Sequence, residues 1–257
     1  MIENQIQSPE ANQTSNRKRI VLLIGGGCAL VACIVVIIAI ALAEIPFLQK
    51  TISGNPSSMP QVNNMPQNQA VNVVMPPARD HPQANGNKMG NPNAPVKIIE
   101  FADFQCTYCL HYWQETESQI IQNYVATGKV YYEYRSVGGF IGPESAEAAN
   151  AAYCAGDQNK FWDYHDMLFA NWTGENAGDF TSDKLRQYAA AIQLNMNQFN
   201  ACLNAGAHND QVVQDASDAK VAGVQGTPSF IINGKLTVGA LPYSDFQQVI
   251  DAALNGQ

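Results

Sequence analysis

Positive charge is scarce in this chain. Its 257 residues carry 14 Lys and Arg against 22 Asp and Glu, a formal net charge of −8. A nucleic-acid binder needs a basic face, so that class is excluded. Charge of either sign is thin at 14%, while 46% of residues are hydrophobic, so a packed core is within reach and the surface relies on neutral polar groups. Metal donors are few as well. There is one Cys-x-x-Cys, no second one, and no His-x-x-x-His among the 4 histidines. A closed zinc site takes four such ligands, so no metal is expected. No internal repeat is visible.

Charge is missing altogether from Ile20 to Ala43, a run of 24 residues. As a helix rising about 1.5 Å per residue, that run crosses a hydrocarbon core of about 30 Å. Arg17, Lys18 and Arg19 abut its first end, while Glu44 meets the other and Lys50 is the nearest cation beyond. The positive-inside rule then leaves residues 1–19 in the cytoplasm, makes 20–43 a single-pass transmembrane signal-anchor, and puts the rest of the chain on the extracytoplasmic side of the cell membrane. Two processed forms compete. Ala41-Leu42-Ala43 resembles a signal-peptidase site, but the apolar stretch exceeds an ordinary signal core. Leu30-Val31-Ala32-Cys33 resembles a lipoprotein site, but the apolar run continues past Cys33. Both would still export the remainder. Cys28 and Cys33 point too far apart around one helix to bridge and read as small apolar fillers.

Residues 44–90 are rich in Pro, Asn, Gln, Met and Ser, with Pro60, Pro66, Pro76, Pro77 and Pro82 interrupting any regular element. They read as a flexible linker. From residue 91 the texture changes, and 8 Lys and Arg face 18 Asp and Glu, a net of −10. Val96 to Phe101 is a short β-branched run, hence a buried strand. Cys106 to about Ala126 has helical spacing and ends at Thr127-Gly128. Val130 to Arg135 is a second strand, so the order is β-α-β and the two strands are parallel. Residues 143–222 look entirely helical. Ser229 to Val238 reads as a hairpin turning at Asn233-Gly234, and a last helix runs from about Tyr243 to Leu254.

Cys106-Thr107-Tyr108-Cys109 falls between a strand and a helix. Only a thiolate attacks a disulfide, and the unpaired N–H groups at a helix start stabilise that anion. Cys106 feels this most, and Cys109 sits one turn on, placed to resolve a mixed disulfide formed at Cys106. Half of a zinc site and a purely structural bridge are the alternatives, the second weakened because so short a loop adds little chain-entropy stabilisation. Cys154 and Cys202 lie 48 residues apart on expected helices. Outside the cytoplasm they form a structural disulfide or remain two buried thiols.

Asp103 to Cys109 with its preceding strand, Gly226-Thr227-Pro228-Ser229-Phe230, and Phe161-Trp162-Asp163-Tyr164-His165-Asp166 together resemble the DsbA-like thioredoxin-fold proteins, especially the membrane-tethered bacterial ones of the BdbD type. The resemblance covers about residues 90–257. It implies an α/β architecture: a thioredoxin fold at 91–257 with an inserted helical domain at about 143–222. It implies a cis-proline at Pro228 facing the cysteine pair, with the Thr227 backbone free to pair with an extended substrate. It also implies a buried acid, Glu100, that takes the Cys109 proton; the plain reading of Glu100 is a strand-edge residue facing water. The implied activity is that of a protein disulfide oxidoreductase acting on exported proteins with thiols or disulfides, reoxidised by a DsbB-like or related quinone-linked membrane partner and needing no bound cofactor. Many relatives carry Pro where this chain has Thr107, and the strongest oxidants carry His where it has Tyr108. A reductase or isomerase is therefore an alternative, and a non-catalytic peptide- or metal-binding module is another.

Overall fold

The computed structural model describes residues 72–256. The expected membrane span at 20–43 and residues 44–71 of the expected linker lie outside them. Among the described residues, no helix is long and apolar enough to cross a membrane.

Strand alternation sets up the core. β1 (Lys88–Met89) is followed by β2 (Val96–Ala102), whose even-numbered positions Val96, Ile98, Glu100 and Ala102 share one face. β3 (Val130–Ser136) lies parallel to β2, with Val130, Tyr132, Tyr134 and Ser136 on the same face. β4 (Ser229–Ile232) runs antiparallel on the other side of β2, opposing Phe230 to Glu100, and β5 (Lys235–Val238) completes the order β1-β3-β2-β4-β5. The β4–β5 turn is Asn233-Gly234, both at positive φ (46° and 85°), which matches the right-handed twist of a two-residue hairpin. The Asn233 side chain also accepts the Lys97 N–H at 2.8 Å and so ties the hairpin to β2.

The β2–β3 crossover is helical throughout. It comprises α1 (Thr107–Tyr112), a π-helical turn (Trp113–Glu117), α2 (Ser118–Ile120) and a second π-helical turn (Ile121–Val125), with right-handed helical backbone at every junction. Cys106, where the expected helix starts, is the N-cap, and the helix proper begins one residue later at Thr107. The helical block holds α3 (Pro143–Gly156), α4 (Phe161–Asn171), α5 (Ser182–Ala191), α6 (Met196–Ala205) and α7 (Asn209–Val221). α6 shows how local chemistry sets such bounds: the Asn195 side chain caps its first turn and Gly206 ends it in the left-handed region. α8 (Tyr243–Leu254) follows the hairpin.

The sheet and the helical block share one core. Phe104 stacks on Tyr134 with centroids 5.2 Å apart, and Phe161, Trp162, His165 and Phe169 of α4 fill the space between them and the helices. Cys154 of α3 is bonded to Cys202 of α6. The opposite sheet face is smaller, with Ile99, Phe101 and Ile231 packed against Ala216 and Ala219 of α7.

The expected linker does not extend to residue 90. Residues 72–90 lie along the folded body, carry β1, and contribute buried groups. Asn171 accepts the Val74 N–H at 2.8 Å and donates to the Val74 carbonyl at 2.8 Å. The Arg79 guanidinium lies 4.2 Å from the Trp113 ring centre, donates to the Trp113 carbonyl at 2.8 Å and pairs with Glu117 at 3.2 Å. His81 stands 3.2 Å from Asp166 and 3.6 Å from Asp163. Burial opposes protonation of His81, but its bonds to Asp163 and Asp166 outweigh that and raise it to about 9, so it is a cation at neutral pH. Proline-rich composition concealed this segment, because its anchorage is ionic and aromatic rather than periodic.

Glu117 is buried in the core with Arg79 as its guanidinium partner. Burial pushes the Glu117 carboxyl up and Arg79 opposes this, so Arg79→Ala removes the partner of Glu117 together with the Trp113 carbonyl bond and ring contact, and is expected to destabilise the fold by about 3–5 kcal/mol. Urea denaturation of the variant against the parent chain checks this, and a loss below about 1 kcal/mol would show the pair to be superficial.

Candidate functional site

Cys106, Cys109, Glu100, Thr227 and Pro228, separated by up to 128 positions in the chain, converge at one end of the sheet. β2 delivers Glu100 to the core face, the helix that follows starts at Cys106, and the loop before β4 brings Thr227 alongside. The Thr227–Pro228 peptide is cis. The Cys106 sulfur lies 3.3 Å from the Thr227 carbonyl oxygen, to which its protonated form donates. Thr227 also lines an apolar cavity of about 430 Å³ together with Val137, Phe140, Ala219 and Val224, so a recess begins at the residue that the reactive sulfur contacts.

The two thiols are chemically unlike. Cys106 is lowered from 9.0 to about 6. The first cause is a hydrogen bond from the Cys109 thiol; burial opposes it, and Thr227 and the N–H groups of Tyr108 and Cys109 add to it. Cys109 is fully enclosed, and burial followed by the neighbouring Cys106 sulfur pushes it well above 9.0. One sulfur is a thiolate at neutral pH and the other holds its proton.

Glu100 is 2% exposed, not at a wet strand edge. Burial raises it from 4.5 to about 8, a bond from Tyr132 partly offsets this, and the Cys106 charge adds to it. The Tyr132 hydroxyl donates to Glu100 Oε2 at 2.7 Å and lies 3.1 Å from the Tyr112 hydroxyl. Neither phenol was marked out by the sequence; the alternation that puts Glu100 and Tyr132 on one face is the signal that could have found the second.

A second buried cluster, Glu117, His165 and Asp166, lies within metal-ligand distance of one another. Arg79 pairs with Glu117 and His81 with Asp166, which makes it a polar network of the core. The Trp113 indole donates to Asp166 at 2.7 Å, and His165 is 3.1 Å from the same oxygen. His111 is a surface residue paired with Glu115 at 3.2 Å.

A five-stranded sheet with the order above, a cis-proline loop and a Cys-x-x-Cys at a helix N-terminus define a thioredoxin-fold protein with a dithiol site. A thioredoxin family model matches residues 83–252, and the chain belongs to that family. It is similar to "Probable disulfide bond formation protein D" of Bacillus cereus, 29% identical over 152 residues, which cover 58% of this chain and 70% of that one. It is also 31% identical over 173 residues to a sodium/proton antiporter of Salinispora tropica, covering 67% of this chain. The chain spans only 24–26% of the length of that antiporter and a second one from Salinispora arenicola. Among solved structures, BdbD of Bacillus subtilis superposes with a TM-score of 0.62 at 21% identity, covering 71% of this chain and 100% of that one, a likeness of fold. The α-DsbA1 protein of Wolbachia pipientis gives 0.58 at 26% identity, covering 68% and 94%.

With Cys106 at about 6, alkylation of the reduced protein by iodoacetamide is expected to reach half its maximal rate near pH 6, while Cys109 stays unmodified through pH 9. The linkage has a definite sign. A lowered thiol stabilises the reduced fold above its unfolded value, and that contribution is lost as the pH falls through about 6. Mass spectrometry of the labelled peptides across the pH range reads the order, and equal rates at the two sulfurs would refute the assignment.

Proposed function

We propose that this chain is an extracytoplasmic thiol–disulfide oxidoreductase that oxidises exported proteins through Cys106 and Cys109. The observation that carries the reading is the asymmetry of the pair: a low-pKa sulfur beside an open recess, above a buried thiol and a buried acid. A substrate thiolate attacks Cys106 Sγ of the disulfide form. The Cys106–Cys109 bond breaks and Cys109 leaves with the electron pair, taking the proton held by Glu100. A second substrate thiolate then attacks the substrate sulfur of the mixed disulfide and expels Cys106 as a thiolate. The substrate loses two electrons and the pair gains them. A low thiol pKa makes Cys106 a good leaving group and stabilises the reduced enzyme, and both effects favour donation of the disulfide. The Thr227 backbone and the neighbouring apolar recess are the place for an extended substrate.

In this reading residues 20–43 anchor the chain by one pass in the cell membrane with residues 1–19 in the cytoplasm. The segment from residue 44 to the described domain is the linker that holds the catalytic part outside. Cys154–Cys202 staples the helical block, which suits an oxidising compartment. A quinone-linked membrane protein of the DsbB kind, or a related one, would reoxidise the pair, and no cofactor is bound. A reductase is the second reading, favoured by Tyr108, which is 68% exposed and brings no positive charge to the thiolate.

The reduction potential decides between them. A Cys106 pKa of about 6 lies between those of thioredoxin, about 7, and DsbA, about 3.5, so the potential is expected between about −270 and −120 mV. The full chain in detergent is equilibrated in glutathione buffers, with Cys106 alkylation as readout. A value above about −180 mV supports the oxidase and one near −270 mV the reductase. Cys106→Ala should remove all turnover; turnover surviving in it would end both readings.

A further inference from the structure

Glu100 is enclosed on every side, and the groups that face it are few. Cys106 and Cys109 stand at the helix start, Tyr112 and Glu117 follow along that helix, and Tyr132 and Tyr134 come from β3. From β4 the residue opposite is Phe230, which offers no polar atom. No cation from any of these elements faces the carboxyl. Its one hydrogen-bond partner among the described residues is the Tyr132 hydroxyl at 2.7 Å, and Tyr132 has one further partner, the Tyr112 hydroxyl at 3.1 Å.

Proton counting orients this chain. Each phenol has one proton, and an ionised carboxylate only accepts. When Glu100 is ionised, Tyr132 spends its proton on Oε2, so Tyr112 must donate to Tyr132. When Glu100 is protonated it can donate to Tyr132, which then donates to Tyr112. Two phenols in a dry core thus form a short chain whose polarity follows the charge on the acid. We propose that Tyr132 and Tyr112 are positioning residues for the exchange reaction: they hold Glu100 in place, stabilise its ionised form by a reversible hydrogen-bond chain, and so set the pH at which it exchanges a proton with Cys109. The inference rests on the role of Glu100 as proton partner of Cys109 proposed above. Burial alone drives the Glu100 carboxyl upward, and the Tyr132 bond is the force that holds it down, to about 8.

The test is the pH dependence of mixed-disulfide resolution. Cys106 of the full-length reduced chain is trapped with an aromatic disulfide reagent, and release of the aromatic thiol by Cys109 is followed from pH 5 to 10. Tyr132→Phe keeps the ring and removes the hydroxyl. A bond to a charged group is worth about one to two pH units, so the midpoint should move up by that amount and the rate at pH 7 should fall about 10- to 100-fold. Tyr112→Phe should move it the same way by less. Tyr134→Phe is the control for packing. That hydroxyl is buried on the same face without a hydrogen-bond partner, so its loss should leave the midpoint in place. The infrared carboxyl band of protonated Glu100, absent in Glu100→Gln, gives the same midpoint independently of rate. If Glu100→Gln keeps the parental profile, the acid has no part in the exchange and the earlier reading of Glu100 fails. If Glu100→Gln abolishes the titration but Tyr132→Phe leaves the midpoint unmoved, or moves it no more than Tyr134→Phe, the phenol chain is only packing and this inference alone is overturned.

Discussion

A carboxyl group buried beneath a cysteine pair is the constraint on which this structure turns. Strand alternation places Glu100 on the same face of β2 as Val96 and Ile98, so a residue that prefers water must enter the core. The enclosure raises its pKa and keeps it near the second cysteine, which is itself too deeply buried to ionise freely. Burial of that carboxyl is what brings a group titrating at about 8 beneath the cysteine pair. The helix N-terminus then treats the two sulfurs unequally, because Cys106 sits at its cap and Cys109 a turn inside.

The same core holds a second set of buried charges, and the molecule handles it differently. Glu117 and Asp166 are paired with Arg79 and His81, which arrive from outside the thioredoxin core on a segment running along the helices. Among the described residues, the one hydrogen-bond partner of Glu100 is a phenol, Tyr132, and no cation pairs with it. Against the cost of burial, the bonds Asp166 makes to His165 and His81 hold it ionised, while burial still pushes the Glu117 carboxyl up with Arg79 opposing; at Glu100 the neutral hydrogen-bond partners let a proton move.

Much of the fold was legible in the residues. The two parallel strands, the all-helical block, the Asn233-Gly234 hairpin and the last helix were read within a residue or two, because each combines a clear hydrophobic period with a local stop signal. β1 and the stretch before it were not. Lys88 and Met89 form a strand of two residues whose stability comes from pairing with β3, and Arg79 and His81 show no period at all. The π-helical turns at Trp113–Glu117 and Ile121–Val125 also left no trace in the spacing. Of the site, the Cys-x-x-Cys could be read locally and Pro228 through its motif. The two tyrosines were not read: alternation puts Tyr132 and Tyr134 alike on the face of Glu100 without telling which hydroxyl meets the carboxyl, and Tyr112 lies on a separate helix.

By itself the sequence determined the class of chemistry. Two thiols one helical turn apart at a strand–helix junction are a short-range arrangement, and the N-terminal N–H groups act within that same turn. Only the tertiary structure decided how that chemistry is tuned. Glu100 and Tyr132 lie 32 residues apart, Cys106 and Thr227 lie 121 apart, and Arg79 reaches Glu117 across 38. Alternation assigns Glu100 and Tyr132 to a face, but the partner on that face is chosen by how strands and helices close on one another. The dielectric around a buried group, and with it the pKa, exists only once that closure is complete.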